Sequence, residues 1–106
     1  MTQTLRFAPE ALQQLEALEI YIAQASSPRR AADFVDAILD YCEKLRTFPQ
    51  RGANRDDLRA GLRTLGFRRR VTILFDVTQE TVTILGIYYG GQDYEADYAG
   101  DDILPE

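Results

Sequence analysis

The side chains of this sequence that could do chemistry are arginines and tyrosines, concentrated between residues 44 and 94. Nine of the twelve cationic residues lie between Lys44 and Arg70, where Asp56 and Asp57 are the only acids, so this stretch carries a net charge of +7. The whole chain carries −5, and residues 93–106 hold six acids and no cation. A local positive field of this size predicts an anionic partner in spite of the acidic net charge.

Eight side chains are predicted to gather at one end of a β-hairpin, because the start of one strand lies beside the end of its antiparallel neighbour. Guanidinium groups bind phosphate or carboxylate in bidentate fashion, and tyrosines add a stacking surface and a hydroxyl. Such a set suits single-stranded nucleic acid or an acidic protein; plain solvated surface, or pairing with the acids after residue 92, is the alternative. The predicted target-binding residues are Arg63, Arg68, Arg69, Arg70, Tyr88, Tyr89, Gln92 and Tyr94.

The residue types exclude several kinds of catalytic and metal site. The chain has no histidine, which is the commonest general base and the commonest zinc ligand, and it has a single cysteine, Cys42. It has no Gly-rich phosphate loop and no Ser-His or Cys-His pair. We therefore assign no metal ligand and no cofactor, and any catalysis would have to use arginine, tyrosine, lysine or carboxylate side chains. We expect Cys42 to lie on a buried helix face.

Length and composition predict one domain over residues 1–106. The chain is 45% hydrophobic, and the acidic tail over residues 99–106 is the segment whose order the sequence leaves open. No apolar run approaches the roughly 20 residues of a membrane span, and the N-terminus shows no secretory signal. These observations predict a cytoplasmic protein with no membrane partner.

Two helices are predicted in the first half of the chain. Pro9 is tolerated in the first turn of the first helix, whose apolar residues recur at helical spacing. Ser27 and Pro28 provide the cap and first turn of the second helix, which we expect to end at Pro49. Because the linker between them is only a few residues long, the helices should form an antiparallel pair.

The other regular segments are predicted to be strands. One covers residues 2–7, before the helices, and a loop over residues 50–57 separates the helices from three more. Helices packed on one face of a mostly antiparallel sheet make an α+β fold, with an N-terminal strand, a helix pair and a three-stranded antiparallel C-terminal sheet portion. The three C-terminal strands are predicted over residues 58–67, 68–77 and 81–89.

The alternation within the segment 68–77 predicts two different faces of the sheet. The apolar face should pack under the helices, and the face that begins with an arginine suits a binding surface. The first set is Val71, Ile73, Phe75 and Val77, and the second is Arg70, Thr72, Leu74 and Asp76.

The order and spacing of these residues resemble the RelE/ParE superfamily of type II toxin–antitoxin toxins. The resemblance covers nearly the whole chain, including the N-terminal strand, the helix opening at Ala8-Pro9-Glu10-Ala11 and the Phe48-Pro49 end of the second helix. It implies a small α+β toxin fold, a co-expressed antitoxin that wraps the toxin in a hetero-oligomer, and growth arrest when the antitoxin is lost. The stretches that carry it best are Gly61-Leu62-Arg63, residues 67–77 and residues 82–95.

The two branches of this superfamily differ in their target. RelE-like members cleave messenger RNA on the ribosome, whereas ParE-like members poison DNA gyrase and are not known as nucleases. By resemblance, Arg70 matches the strand arginine that contacts the scissile phosphate in the ribonucleases, and Tyr94 falls near their proton-transferring aromatic residue. Tyr88 and Tyr89 stand where the ribonucleases place a second arginine or a histidine.

The ending over residues 88–95 looks more like the ParE-type plasmid-stabilisation toxins. The cationic cluster of the ribonuclease branch is also thinner here, with Lys44 the only lysine. The resemblance therefore implies a gyrase inhibitor that is not an enzyme, and we assign no catalytic residue. Two alternatives stay open: a ribosome-dependent mRNA endoribonuclease, and a degenerate toxin that acts only as an antitoxin-binding module.

Overall fold

The computed structural model describes residues 3–90, and it confirms the α+β class. Two helices pack on one face of a five-stranded mixed sheet. One short strand was not predicted, and it lies in the segment that the sequence assigns to a loop. The elements are β1 (Thr4–Phe7), α1 (Pro9–Ala25), α2 (Pro28–Glu43), a 3-10 helix (Lys44–Arg46), β2 (Ala53–Asn54), β3 (Leu62–Phe67), β4 (Val71–Val77) and β5 (Thr81–Tyr89).

Both helices begin where the sequence predicts, and α2 ends earlier. Ser27 caps α2 through its hydroxyl oxygen, which accepts a hydrogen bond from the Arg30 amide at 3.1 Å. The prediction that α2 ends at Pro49 is wrong, because the chain tightens into the 3-10 helix after Glu43. Leu45 is fully buried there. The Gln3 amide, just before β1, donates to the Arg46 carbonyl, and Arg46 Nε donates to the Gln3 carbonyl.

The strands lie in the order β1-β5-β4-β3-β2. β1 is an edge strand that pairs in parallel with β5, and the other neighbours pair antiparallel. The β4–β5 ladder carries one irregularity: Leu74 pairs with Gly86 and Phe75 pairs with Ile84, so Leu85 is an extra residue in β5. This β-bulge decides which side chains of β5 point towards the helices.

Two predicted strand boundaries are wrong, and each is displaced by a turn. β3 begins at Leu62 rather than residue 58, because residues 56–61 form a turn in which the Asp56 carboxylate accepts a hydrogen bond from the Gly61 amide at 2.8 Å. Gly61 has a φ of +82°, a conformation that glycine adopts without steric cost. β4 begins at Val71 rather than residue 68, because residues 68–70 form the connection between β3 and β4.

The main core lies between the helices and the sheet. Leu15 and Leu18 of α1 and Ile38 and Cys42 of α2 pack against the inner face of the sheet, whose Phe75 is fully buried. The predicted helix-facing residues Val71, Ile73 and Phe75 are confirmed, and the expectation for Cys42 is confirmed as well. Neither helix within residues 3–90 combines the length and apolar character that a membrane crossing requires.

The outer face of the sheet is not an open surface throughout. Leu74, which the alternation places on this face, is fully buried. It forms a small second cluster with Leu58, Leu62 and Tyr88. The turn over residues 56–61 brings Leu58 onto this face, so this part of the predicted binding surface is covered by the chain itself.

Candidate functional site

The predicted cationic centre is a turn, residues Arg68–Arg70, which we call the arginine turn. It connects β3 to β4, and the Arg70 amide closes it by donating to the Phe67 carbonyl at 3.1 Å. The Gly90 amide donates to the Arg70 carbonyl at 2.7 Å, so the end of β5 is fastened to the same turn. The structure therefore places arginines from one connection beside the last residues of a neighbouring strand, as the sequence predicts.

The backbone of the arginine turn is unusual for its residue types. Arg68 and Arg69 have φ values of 52° and 62°, the positive values that two-residue hairpin turns of the primed type require. Asparagine and glycine are preferred at such positions. For other residues the left-handed conformation costs about 1–2 kcal/mol each. The two arginines thus occupy positions where they weaken the fold.

Arg68 is held over aromatic rings. The central carbon of its guanidinium group lies 4.9 Å from the ring centroid of Phe67 and 5.8 Å from that of Phe34. Cation–π contacts of this kind contribute about 0.5–1 kcal/mol at exposed sites. They also orient the guanidinium plane while leaving its N–H groups available at the edge.

Arg70 contacts Tyr89, the last residue of β5. Its Nη1 donates to the Tyr89 hydroxyl at 3.4 Å, a long hydrogen bond. The Tyr89 ring packs against Tyr21 of α1 at a centroid distance of 5.7 Å and against Phe34 of α2 at 6.3 Å. Both helices therefore fix the ring whose hydroxyl meets Arg70.

These contacts belong to an aromatic cluster that the sequence analysis missed. Phe34 lies 5.8 Å from Phe67, and Tyr41 lies 5.0 Å from Phe67, measured between ring centroids. Phe34 and Tyr41 are seven residues apart and so share one face of α2. The seven-residue spacing in the sequence could have indicated that Phe34 and Tyr41 lie together on α2. Their contacts with Phe67 of β3 and Tyr89 of β5 are visible only in the tertiary structure.

No carboxylate within residues 3–90 neutralises the arginine turn. The ion pairs in this part of the chain join Arg46 to Glu43 and Arg55 to Asp57, and neither involves the turn. Arg69 is exposed, with no hydrogen bond or ion pair to the described residues. The positive charge of the turn is therefore available to an external anion, as far as the described part of the chain shows.

Two residues of the predicted site, Arg63 and Tyr88, lie away from the arginine turn. Arg63 donates hydrogen bonds to the carbonyl oxygens of Gln50, Arg51 and Gly52 at 3.0–3.4 Å, and it lies four residues, or about 13 Å along β3, from Phe67. It anchors the loop before β2. Tyr88 is only 8% exposed and lies on the outer face of the sheet.

The outcome for the predicted set is therefore mixed. The structure brings together the three turn arginines and Tyr89, and it separates Arg63 and Tyr88 from them. Gln92 and Tyr94 lie outside the described residues. The assembled side chains can bind an anion and offer a phenolic hydroxyl, and no group of His, Cys, Asp or Glu among residues 3–90 is arranged to hold a metal ion.

Two clefts flank this assembly, and the sequence analysis identified neither. One, of about 460 Å³, lies between α1 and the end of β5 and is bordered by Leu18, Tyr21 and Tyr89. The other, of about 790 Å³, lies beyond the C-terminal end of α2 and is lined by Tyr41, Phe48 and five other residues that include Lys44 and Arg51. Large apolar side chains are exposed beside them, with Tyr21 at 55% and Phe48 at 62%.

Comparison with solved structures confirms the toxin fold. A chain of the chromosomal ParDE toxin–antitoxin system from P. aeruginosa superimposes with a TM-score of 0.73 at 24% sequence identity, covering 84% of this chain and 97% of that one. A chain of the toxin–antitoxin complex RelBE2 from Mycobacterium tuberculosis superimposes with a TM-score of 0.59 at 21% identity, covering 84% and 99% of the two chains. These identities support the fold alone.

The family is decided by sequence. No curated protein sequence matches this chain. A family model, however, described as the ParE toxin of the type II toxin–antitoxin system parDE, matches residues 5–94. That span runs from β1 through the arginine turn and past the end of β5. The chain therefore belongs to the ParE toxin family of type II toxin–antitoxin systems.

Proposed function

We propose that this ParE-type toxin arrests growth by inhibiting DNA gyrase and that a cognate antitoxin neutralises it. The observation that carries the proposal is the family match over residues 5–94. The exposed arginine turn supports it, because it offers a positively charged contact surface and no carboxylate of residues 3–90 pairs with it. The proposed role is binding rather than catalysis, with Arg68, Arg69, Arg70 and Tyr89 as target contacts.

The antitoxin partner is proposed from the relatives and from the surface. The solved relatives are named as toxin–antitoxin systems. Leu12 and Ile20 are exposed apolar side chains eight residues apart on α1, and so lie on one side of the helix, where an amphipathic antitoxin segment would cover them. Acidic residues of the antitoxin would then meet the arginine turn and add charge complementarity.

The proposal is tested with the purified chain in a gyrase supercoiling assay. We expect negative supercoiling to stop at saturating toxin and to recover when the antitoxin encoded beside the toxin gene is added. Normal supercoiling at saturating toxin, together with cleaved messenger RNA in a ribosome assay, would show that the toxin belongs functionally with the ribonucleases. A lack of growth arrest on expression without antitoxin would favour the degenerate binding module.

One contact favours the ribonuclease as the second candidate. Arg70 Nη1 lies 3.4 Å from the Tyr89 hydroxyl, which places a phosphate-binding cation beside a group able to carry a proton. If this pair cleaves RNA, Arg70→Ala and Tyr89→Phe should each abolish cleavage on the ribosome. Toxicity unchanged in Arg70→Ala would remove the main support for this candidate.

A further inference from the structure

We propose that the arginine turn contacts phosphate groups of duplex DNA, so that the toxin touches the DNA held by its target as well as the target protein. The proposal deepens the gyrase function and rests on it for its biological setting. In the complex with the target, it assigns the turn to the DNA backbone and not to the surface of the gyrase protein; the antitoxin would cover the same turn when it neutralises the toxin. The residues involved are Arg68, Arg69 and Arg70.

The turn has the composition of a phosphate contact. It consists of three adjacent arginines, all exposed. Among residues 3–90, the exposed large apolar side chains are on α1 and at Phe48, and none is on the turn. The centre of a protein–protein interface is usually apolar and aromatic, whereas contacts to a nucleic acid backbone need only cations and hydrogen-bond donors.

The described rings argue for duplex rather than single-stranded nucleic acid. A single strand is bound through bases that stack on exposed aromatic side chains. Phe67 is only 7% exposed, with Arg68 over its ring, and the Tyr89 ring packs against both helices. Tyr21, beside Tyr89, is 55% exposed, but one exposed ring does not provide the successive stacking surfaces that a single strand uses. Of the tyrosines predicted to offer stacking surface, Tyr88 is buried in the outer cluster and the Tyr89 ring packs on the helices, so the rings of both described tyrosines serve the fold.

Two side chains of the arginine turn are already restricted by contacts within the protein. Arg68 is held by its rings and Arg70 by the Tyr89 hydroxyl, so less side-chain freedom is lost when each binds. Arg68 and Arg69 keep positive φ values at positions where glycine or asparagine would stabilise the turn. A binding role explains why arginine stands there at a cost to the fold.

The test measures binding of the full chain to a fluorescently labelled 25-base-pair duplex by anisotropy at several salt concentrations. We expect Arg69→Gln to weaken binding about tenfold, as the loss of a charge-assisted hydrogen bond does. The slope of log K against log[salt] should also become shallower by about 0.9. Arg59→Gln is the matched control, since it removes an exposed arginine in the turn at the opposite end of β3, a strand about 16 Å long.

A second variant separates the binding role from folding. Arg69→Gly should weaken DNA binding as much as Arg69→Gln does, while its melting temperature rises by roughly 4–8 °C because glycine suits the positive φ. If Arg69→Gly is more stable than the unmodified chain and still binds DNA more weakly, misfolding cannot explain the weaker binding. No change in duplex anisotropy at high toxin concentration would overturn the proposal. Equal losses of duplex affinity in Arg69→Gln and Arg59→Gln would also overturn it.

Two further results distinguish this proposal from the gyrase function. If Arg69→Gln inhibits supercoiling as well as the unmodified toxin does, the DNA contact is wrong and the gyrase function stands. If duplex binding depends on Arg69 but the toxin leaves supercoiling intact, the gyrase function fails and the DNA contact stands. Arg69-dependent binding to isolated gyrase protein without DNA would identify a protein partner and overturn the proposal.

Discussion

Gln14 shows how a residue outside the candidate site positions it. Its side-chain carbonyl oxygen accepts a hydrogen bond from the Ile87 amide at 2.7 Å. The bond joins α1 to β5 two residues before Tyr89, close to the β-bulge, where the regular ladder is interrupted. A backbone N–H that loses its partner at a partly buried position costs more free energy than the bond itself contributes.

Gln14→Ala should therefore lower the free energy of unfolding by about 1–2 kcal/mol, because the Ile87 amide loses its acceptor. Gln13→Ala is the matched control, since Gln13 is an exposed neighbour on the same helix, and its effect should stay within about 0.5 kcal/mol. Urea denaturation followed by circular dichroism measures both. Equal stability of the two variants would show that water replaces the Gln14 acceptor.

Cys42 connects burial to the pH dependence of stability. Burial raises the pKa of the Cys42 thiol from 9.0 to about 12, and the neighbouring Glu43 carboxylate acts in the same direction. The folded chain thus keeps the thiol proton at pH values where the unfolded chain releases it. This contribution to stability is complete below about pH 9 and is lost as the pH rises towards about 12.

We expect Cys42→Ala to be less stable than the unmodified chain near pH 8, because the substitution leaves a small cavity. The difference in the free energy of unfolding should shrink as the pH rises to about 11, since only the unmodified chain carries the thiol. Urea midpoints across this range measure the difference. Two profiles that run parallel would show that Cys42 is not linked to the alkaline loss of stability.

At the scale of elements, the β-bulge in β5 determines which tyrosine serves the site. Strict alternation from Val82 and Ile84 would place Tyr88 under the helices and Tyr89 on the outer face. The extra residue Leu85 reverses this order, so Tyr89 reaches Arg70 and Tyr88 fills the outer cluster. A one-residue irregularity thus exchanges the roles of two adjacent tyrosines.

The two glycines of this sheet provide a matched pair for testing that packing. A Cβ on Gly86 would lie 2.6 Å from the ring of Tyr88, which is buried in the outer cluster, whereas a Cβ on Gly66 would meet no atom within 4 Å. Gly86→Ala should lower the free energy of unfolding by about 1–3 kcal/mol through overpacking. Gly66→Ala should be neutral or stabilise by up to about 1 kcal/mol.

Thermal and urea unfolding of the two variants would measure this difference. A Gly86→Ala chain as stable as Gly66→Ala would mean that the Tyr88 ring can move aside, and that the outer cluster is looser than its burial indicates. The comparison holds secondary structure constant, because both glycines lie within strands.

At the scale of the whole molecule, charge is separated along the chain. Residues 44–70 carry nine cations and two acids, while the complete chain has a net charge of −5. In the folded domain the arginine turn concentrates part of that positive charge at one end of the sheet. Separated charge of this kind accelerates the approach of an acid-bearing partner and orients it before contact.

The association rate of the toxin with its antitoxin should therefore fall about tenfold between roughly 50 mM and 500 mM salt, because screening shortens the range of steering. The dissociation rate should change much less, since salt does not screen the apolar contacts that we propose for the complex. Stopped-flow fluorescence measures both rates. A salt-independent association rate would show that the arginine turn does not guide the encounter.

Local sequence patterns determined the class of fold and the start of each helix. The stripes of α1 and α2, the cap at Ser27 and the alternation of Val71, Ile73 and Phe75 each depend on neighbours in the chain, so they can be read without a structure. The clustering of cations also follows from the sequence, and it pointed to Arg68, Arg69 and Arg70.

The tertiary structure alone decided which side chains meet. The turn over residues 56–61, the bulge at Leu85 and the carbonyl contacts of Arg63 depend on how distant segments pair. Those pairings bury Tyr88, bring Tyr89 to the turn and leave Arg63 as a loop anchor. Local propensity carries no information about such contacts, because their energy arises from residues far apart in the chain.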